Sequence, residues 1–193
     1  MDNLIMNIKR FISLDDEEEE LISRLFTSSV LKPGEYFLEE GKICRSVAFI
    51  EKGLLRYFIT GDGVEKTIFF SREEEWACNY RSFLPRIPSD TAIQALEETT
   101  VWVISHDDLH RLYREVAEGE RFGRLAIEQV FLTSIEQVKS LYADGPAERY
   151  QQFLSSYPDL AQRIPQYYIA SYVGVKPQSL SRIRKRLAKA AGG

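Results

Sequence analysis

The stretch SYVGVKPQSLSRIRKRLAKA, residues 171–190, sets a single glycine between two short helical patterns. The first pattern begins at Pro165, whose missing N–H costs nothing in the opening turn of a helix. Ile169 and Val173 are four apart and share a face, and Ala170 beside them is small enough to let a second helix approach. Gly174 falls where this helix must end on a left-handed residue. Val175 fills the corner, and Pro177 opens a second helix whose apolar face is Leu180, Ile183 and Leu187. Ala170, Gly174, Leu180 and Ile183 together have the spacing of a helix–turn–helix.

Charge gives this segment a purpose. Residues 160–193 carry Arg163, Lys176, Arg182, Arg184, Lys185, Arg186 and Lys189, a charge of +7 with no acid after Asp159. The remainder, with 18 basic and 29 acidic residues, stands at −11. At about 100° per residue, Gln178, Arg182, Lys185 and Lys189 share the face opposite the apolar one, flanked by Ser179 and Arg186. Such a face gains affinity for double-stranded DNA through counterion release, whatever the base sequence. Residues near the helix start reach base edges, and there Gln178 suits adenine, Arg182 suits guanine and Ser179 serves either. Lys176, Arg184, Lys185, Arg186 and Lys189 are expected at or beside phosphates. Lys176 stands where a Ser or Thr cap is common, forgoing roughly 1 kcal/mol. An acidic body repels DNA, so a basic end also orients the encounter.

Working outward, the chain reads as helix, then strands, then helices. SLDDEEEELISRLF is expected to form a helix capped by Ser13, with Asp16 three residues on and acids filling the first turn. Strands and turns run from Val30 to about Ser105. Lys32-Pro33-Gly34-Glu35 is a turn, Tyr36-Phe37-Leu38 a short strand, and LLRYFITGDGVEKTIFF a hairpin turning at Asp62-Gly63. Short runs such as VAFI and VWVIS complete an antiparallel barrel or jelly roll. Ser105 and Asp108 form a capping pattern before LHRLYREVAE, and a long helix follows, ended by Asp144-Gly145-Pro146. Its stripe of Ile127, Phe131, Ile135 (or Ser134), Val138 and Tyr142 is widened by Phe122, Leu125 and Leu132. Such a stripe packs on its own barrel and also on a second copy, and a dimer seam is the preferred reading over core packing alone. The fold class is therefore α+β, with a sensor barrel over 1–118, a linking and dimerisation helix over 119–143, and a helix–turn–helix domain over 144–193.

No apolar run approaches the roughly 20 residues of a bilayer span, so no membrane partner is expected. MDNLIMNIKRF lacks the basic lead and cleavage site of a signal peptide, which makes a cytoplasmic address the expectation. Cys44 and Cys78 lack CxxC spacing, which argues against an iron–sulfur cluster or structural zinc. They read as two free thiols, with a redox pair as the alternative. His106 and His110 offer two ligands where a jelly-roll metal enzyme needs several, and no nucleophile elbow or phosphate loop is present. No catalytic residue, metal or cofactor is expected.

The stretches LKPGEYFLEEGKICRSVAFIEKGLLRYFI and TAIQALEETTVWVIS, the long helix and the terminal helix–turn–helix together resemble the Crp/Fnr family of bacterial transcription regulators, over almost the whole chain. The resemblance implies a cyclic-nucleotide-binding-like barrel, a homodimer along the long helix, and one recognition helix per subunit in successive major grooves. It implies a roughly palindromic site with half-site centres about 34 Å apart, and RNA polymerase as a further partner. Departures fall at the ligand site. The family's cyclic-nucleotide binders carry a Gly-Glu pair and then Arg followed by Ser or Thr, whereas EEEWACNYRSFLPRIPSDTAIQAL has Cys78-Asn79 and then Asp90-Thr91. An acid at that place repels a cyclic phosphate, and Arg81 or Arg86 replaces the missing cation only if the loop is rearranged. Cyclic AMP binding in the family's usual way is therefore not expected. The cysteine cluster of the oxygen-sensing branch is absent too. Trp76, Tyr80 and Phe83, with Thr91, are the residues for some other effector's pocket, while the competing reading places these aromatics in the core. Only Ala190-Ala191-Gly192-Gly193 follows the recognition helix, so the family's β-wing contacts are expected to be missing.

The sequence thus points to a homodimeric DNA-binding transcription regulator with an unidentified effector. The alternative is a sensory module for a small molecule or protein whose basic tail serves another partner.

Overall fold

The structure, a computed structural model, describes residues 1–191; Gly192 and Gly193, at the end of the expected wingless tail, lie outside the described residues. In chain order the elements are α1 (Asp2–Lys9), α2 (Asp16–Leu25), β1 (Thr27–Leu31), β2 (Tyr36–Leu38), β3 (Ser46–Lys52), β4 (Leu55–Gly61), β5 (Val64–Ser71), β6 (Trp76–Ala77), α3 (Tyr80–Phe83), β7 (Ala92–Ala95) and β8 (Thr99–Ser105). Then come α4 (His106–Glu115), α5 (Gly119–Ala143), α6 (Pro146–Ser156), α7 (Leu160–Arg163), α8 (Gln166–Val173) and α9 (Pro177–Ala191).

The strands form two antiparallel sheets, ordered β1-β8-β3-β6 and β2-β7-β4-β5, which is the expected jelly roll. The β4–β5 hairpin closes Gly61 against Val64 around Asp62 and Gly63, both at positive φ (54° and 72°), as a two-residue hairpin turn requires. Facing strands bury Val47, Phe49, Tyr57, Ile93, Val101 and Ile104 between the sheets. Helices α1 and α2 close one side with Leu4, Ile8, Ile22 and Leu25.

Two local expectations are corrected. The cap of α2 is Asp15, not Ser13: Asp15 Oδ1 accepts the Glu18 N–H at 2.9 Å, and Glu18 Oε2 accepts the Asp15 N–H at 3.1 Å. Three residues on from Asp15 stands Glu18, long enough to bond back, whereas Ser13 is followed at that distance by the shorter Asp16. Ser13 instead donates its N–H to Glu118. The first strand also begins at Thr27 rather than Val30, and pairs with β8 from Thr27↔Val103 onward.

The cap before α4 is as expected, with Ser105 Oγ accepting the Asp108 N–H at 3.1 Å. Helix α5 runs for 25 residues, with its buried residues Gly119, Phe122 and Gly123 at its start, while Gln137 further along donates to the Ile68 carbonyl of β5. Phe122 is buried, but every large apolar side chain from Ile127 to Tyr142 is exposed, with Phe131 at 62 %, Leu132 at 64 % and Tyr142 at 90 %. The described residues of the protomer leave that stripe largely open to solvent.

The C-terminal helices do not form a core of their own. Phe153, Tyr157, Leu160, Ile164, Ile169, Val173 and Leu180 pack into one cluster with Leu54 and Phe70 of the barrel. Phe70 meets Tyr172 at 5.5 Å and Phe153 at 6.2 Å between ring centres, pairs that each contribute roughly 0.5–1.5 kcal/mol beyond buried area.

Candidate nucleic-acid interface

Helix α8 buries Ile169, Ala170 and Val173 and stops at Gly174, whose φ of 78° and ψ of 34° are left-handed. The Val175 N–H then reaches back to the Ala170 carbonyl at 2.9 Å, turning the chain into α9. A residue not singled out by the sequence reading reinforces this corner. Arg149 on α6 donates from Nε to the Val173 carbonyl at 2.8 Å and from Nη1 to the Asp144 carbonyl at 2.6 Å. One guanidinium thus satisfies the ends of both α5 and α8, where helix dipoles favour a cation.

Helix α9 starts on the Lys176 carbonyl, which accepts the N–H groups of Ser179 and Leu180. Leu180 is buried and Ile183 and Leu187 are half-buried, so the apolar face is the expected one. On the other side Lys176, Gln178, Arg182, Arg184, Lys185, Arg186 and Lys189 are all exposed, and Ser179 is half-buried at the edge. Arg184 is set apart, since its Nη1 donates to Gln166 Oε1 at 2.8 Å and ties α9 to the first turn of α8. Among the described residues, Lys176, Arg182, Lys185, Arg186 and Lys189 form no ion pair, whereas Arg56, Arg72, Arg81 and Arg86 of the barrel do. The face is an unneutralised cationic strip, with Gln178 and Ser179 at its N-terminal end.

The helix–turn–helix is held against the barrel by polar as well as apolar contacts. The Thr67 N–H on β5 donates to Ser171 Oγ at 2.9 Å. Arg163 binds Glu73 at 2.7 Å, Glu97 at 2.5 Å and Asp159 at 3.2 Å, and Arg72 binds Asp159 at 2.6 Å. Burial on its own raises the Glu73 carboxyl. The Arg163 hydrogen bonds and charge and the Gly53 N–H overcome this and hold it below its ordinary value of 4.5.

In the barrel, the residues considered for an effector lie in three places. Trp76 donates Nε1 to Asn7 Oδ1 at 3.0 Å and packs against Phe49 and Phe122. With Tyr80 it lines a small apolar crevice of about 30 Å³ between the barrel and α5. Phe83 is buried with its ring 5.1 Å from His106. Thr91 is buried beside Ser89, whose Oγ accepts from the Thr91 N–H at 3.0 Å and from Asn79 Nδ2 at 2.9 Å. Asp90 forms an ion pair with Arg81. No group of three or more potential metal ligands occurs among the described residues, and none of their helices is long and apolar enough to cross a membrane.

Residues 29–116 match the Cyclic nucleotide-binding domain family. No curated protein sequence matches the chain. Solved structures resemble it along most of its length. FixK2 from Bradyrhizobium japonicum aligns at a TM-score of 0.75 with 16% identity over 86% of each chain. A Crp/Fnr family transcriptional regulator from Eubacterium rectale aligns at 0.69 with 16% identity, over 92% of this chain and 85% of that one. The catabolite activator protein of Thermus thermophilus aligns at 0.58 with 19% identity, over 96% and 88%. The barrel thus resembles a cyclic nucleotide-binding domain over residues 29–116 and is followed by a helix–turn–helix. The chain has the fold of Crp/Fnr family transcription regulators.

Proposed function

We propose that the protein is a homodimeric transcription regulator that reads double-stranded DNA with α9 and does not take a cyclic nucleotide in the family's usual way. The observation that carries the DNA reading is the cationic strip of α9, exposed and without acid partners, behind a helix–turn–helix corner locked by Gly174 and Arg149. Gln178, Ser179 and Arg182 sit toward the start of the recognition helix, where side chains meet base edges. Lys176, Lys185, Arg186 and Lys189 are placed for phosphates. Arg184 does so less directly, given its bond to Gln166.

The partner copy is argued from α5. Eight large apolar residues, from Ile127 to Tyr142, are exposed on one helix of this protomer. A continuous apolar stripe of that size marks an interface, and a second identical stripe covers it by two-fold symmetry.

Two contacts and one sequence difference support a barrel that does not hold a cyclic nucleotide in the family's usual way. Asp90 stands where the family's phosphate-binding Arg is expected and is already paired with Arg81. Asn79, in place of the ribose-binding Glu, is consumed by capping α3 and bonding Ser89. Cys78 replaces the Gly that precedes it. An effector that acts on DNA binding must favour one placement of α5 and α9 over another, because only differential affinity moves the balance.

A titration of unselected duplex DNA at two salt concentrations tests the reading. Affinity should fall steeply with salt, and changing Lys185 and Lys189 together to Ala should reduce the slope of log K against log salt by nearly two. A slope unaffected by this change overturns the assignment of α9 and favours a sensory module whose basic end serves another partner.

A further inference from the structure

Two thiols distant in sequence stand side by side in the barrel. Cys44 lies in the loop before β3, Cys78 follows β6 directly, and their Sγ atoms are 3.8 Å apart. Cys44 is 2 % exposed and Cys78 half-buried. One residue braces both segments. Ser82 Oγ accepts the Cys44 N–H at 2.9 Å and donates to the Ile87 carbonyl at 2.5 Å, while the Ser82 N–H is bound by Asn79, the neighbour of Cys78. A surface groove of about 250 Å³, walled by Leu38, Lys42, Ile43, Cys44 and Ser46 among others, brings solvent to the Cys44 side. It has room for a small oxidant.

The hydrogen bond between the sulfurs sets their acidity. It draws the Cys44 thiol down to about 7 against the effect of burial, helped by backbone bonds with Asn79 and Ser46. Burial and the Cys44 sulfur push the Cys78 thiol up. The pair therefore releases its first proton near neutral pH and keeps its second, a property of the two sulfurs jointly. Thiolate is the nucleophilic form of cysteine.

We propose that Cys44 and Cys78 are a reversible oxidation site, converted by a hydroperoxide into an intramolecular disulfide. In the first step the thiolate sulfur of the pair attacks one peroxide oxygen. An S–O bond forms, the O–O bond breaks, and the leaving hydroxide or alkoxide takes up a proton as water or alcohol. In the second step the remaining thiol attacks the sulfenic sulfur. The S–S bond forms, the S–O bond breaks, and hydroxide departs with the thiol's proton as water. The two sulfurs together lose two electrons and the peroxide gains them. A cellular thiol reverses the reaction by exchange. The closed bridge would fasten the groove wall at Cys44 to β6 and to α3, the region beneath the Trp76–Tyr80 crevice and the root of α5.

The test uses the full reduced chain, exposed to equimolar hydrogen peroxide at neutral pH, then denatured in N-ethylmaleimide and weighed intact. The expected product is a single chain two hydrogens lighter than the reduced protein, carrying no maleimide, and restored to two reactive thiols by dithiothreitol. In Cys78→Ser the same treatment should stop at a sulfenic acid on Cys44, trapped by dimedone. Two maleimides on the treated chain, added oxygen with no loss of hydrogen, or a disulfide found only between two chains would each overturn the proposal. Because the mass measurement uses the unsubstituted protein, its result holds whether or not the variant folds.

Discussion

The guanidinium carbon of Arg56, on barrel strand β4, lies 3.8 Å from the centre of the Tyr168 ring on α8. Phe58 covers it at 4.3 Å, Thr67 accepts from its Nε at 2.8 Å, and Glu65 pairs with Nη1 at 2.7 Å. Arg56 is only 1 % exposed, yet its charge and donors are met from both the barrel and helix α8. The two parts of the protein thus share a buried cation. Helix α8, which packs against α9, contacts β4 through Tyr168 and β5 through Ser171.

Arg56 and Tyr168 should therefore be energetically coupled. In a double-mutant cycle with Arg56→Met and Tyr168→Leu, urea unfolding is expected to give a coupling of about 1 kcal/mol, the scale of a partly desolvated cation–π contact. Simple additivity would show that the stacking contributes no net stability.

Arg163 should make stability depend on acid. The folded-state pKa of Glu73 is lowered, so its contribution is complete above the unfolded value of 4.5 and is lost as pH falls through the lower folded value. Glu75, raised by burial, runs the other way, favouring the folded state below its unfolded value and fading as pH rises through the raised one. Arg163→Gln should flatten the fall in the urea midpoint between neutral pH and the acid range. Parallel curves for both proteins would contradict a role for the Arg163–Glu73 pair.

Such contacts mark where the sequence ceases to be legible. The helix–turn–helix is written locally, because Gly174, Pro177 and the Leu180–Ile183–Leu187 spacing act within a few turns. The β4–β5 hairpin is equally local, turning at Asp62-Gly63. Arg56 in LLRYFIT carries no local signal of burial. It is buried because its face of the strand is covered by α8, more than a hundred positions along the chain. Helix α1 hides for a different reason: it is eight residues long, has no side-chain cap, and gains its stability from Leu4 and Ile8 against the barrel. The meeting of Cys44 and Cys78 has no periodic signal at all.

Helix α5 gives a prediction about assembly. Phe131→Glu places a charge on an exposed position of the protomer, so folding by circular dichroism should be unchanged. At a dimer seam the same charge is desolvated without a partner, and dimer affinity should drop by about 3 kcal/mol or more, on the order of a hundredfold. Sedimentation should then show a monomer at concentrations where the parent protein is a dimer. An unaltered dimer would place the seam elsewhere.

Base reading and phosphate binding should separate on α9. Arg182→Ala is expected to cost about 1–3 kcal/mol on the preferred site and to relax the base requirement there. Lys189→Ala should weaken all duplexes nearly alike and lower the salt slope by about one. Equal, sequence-blind losses from both would remove the base-reading role from Arg182.

The most direct test of the central claim is selection of bound fragments from a random duplex library at low and high salt. A symmetric dimer reading DNA should enrich an inverted repeat with half-site centres about one helical turn apart, bound less tightly as salt rises. Enrichment of no sequence, or of a single unrepeated half-site, would contradict a homodimer that reads DNA through α9.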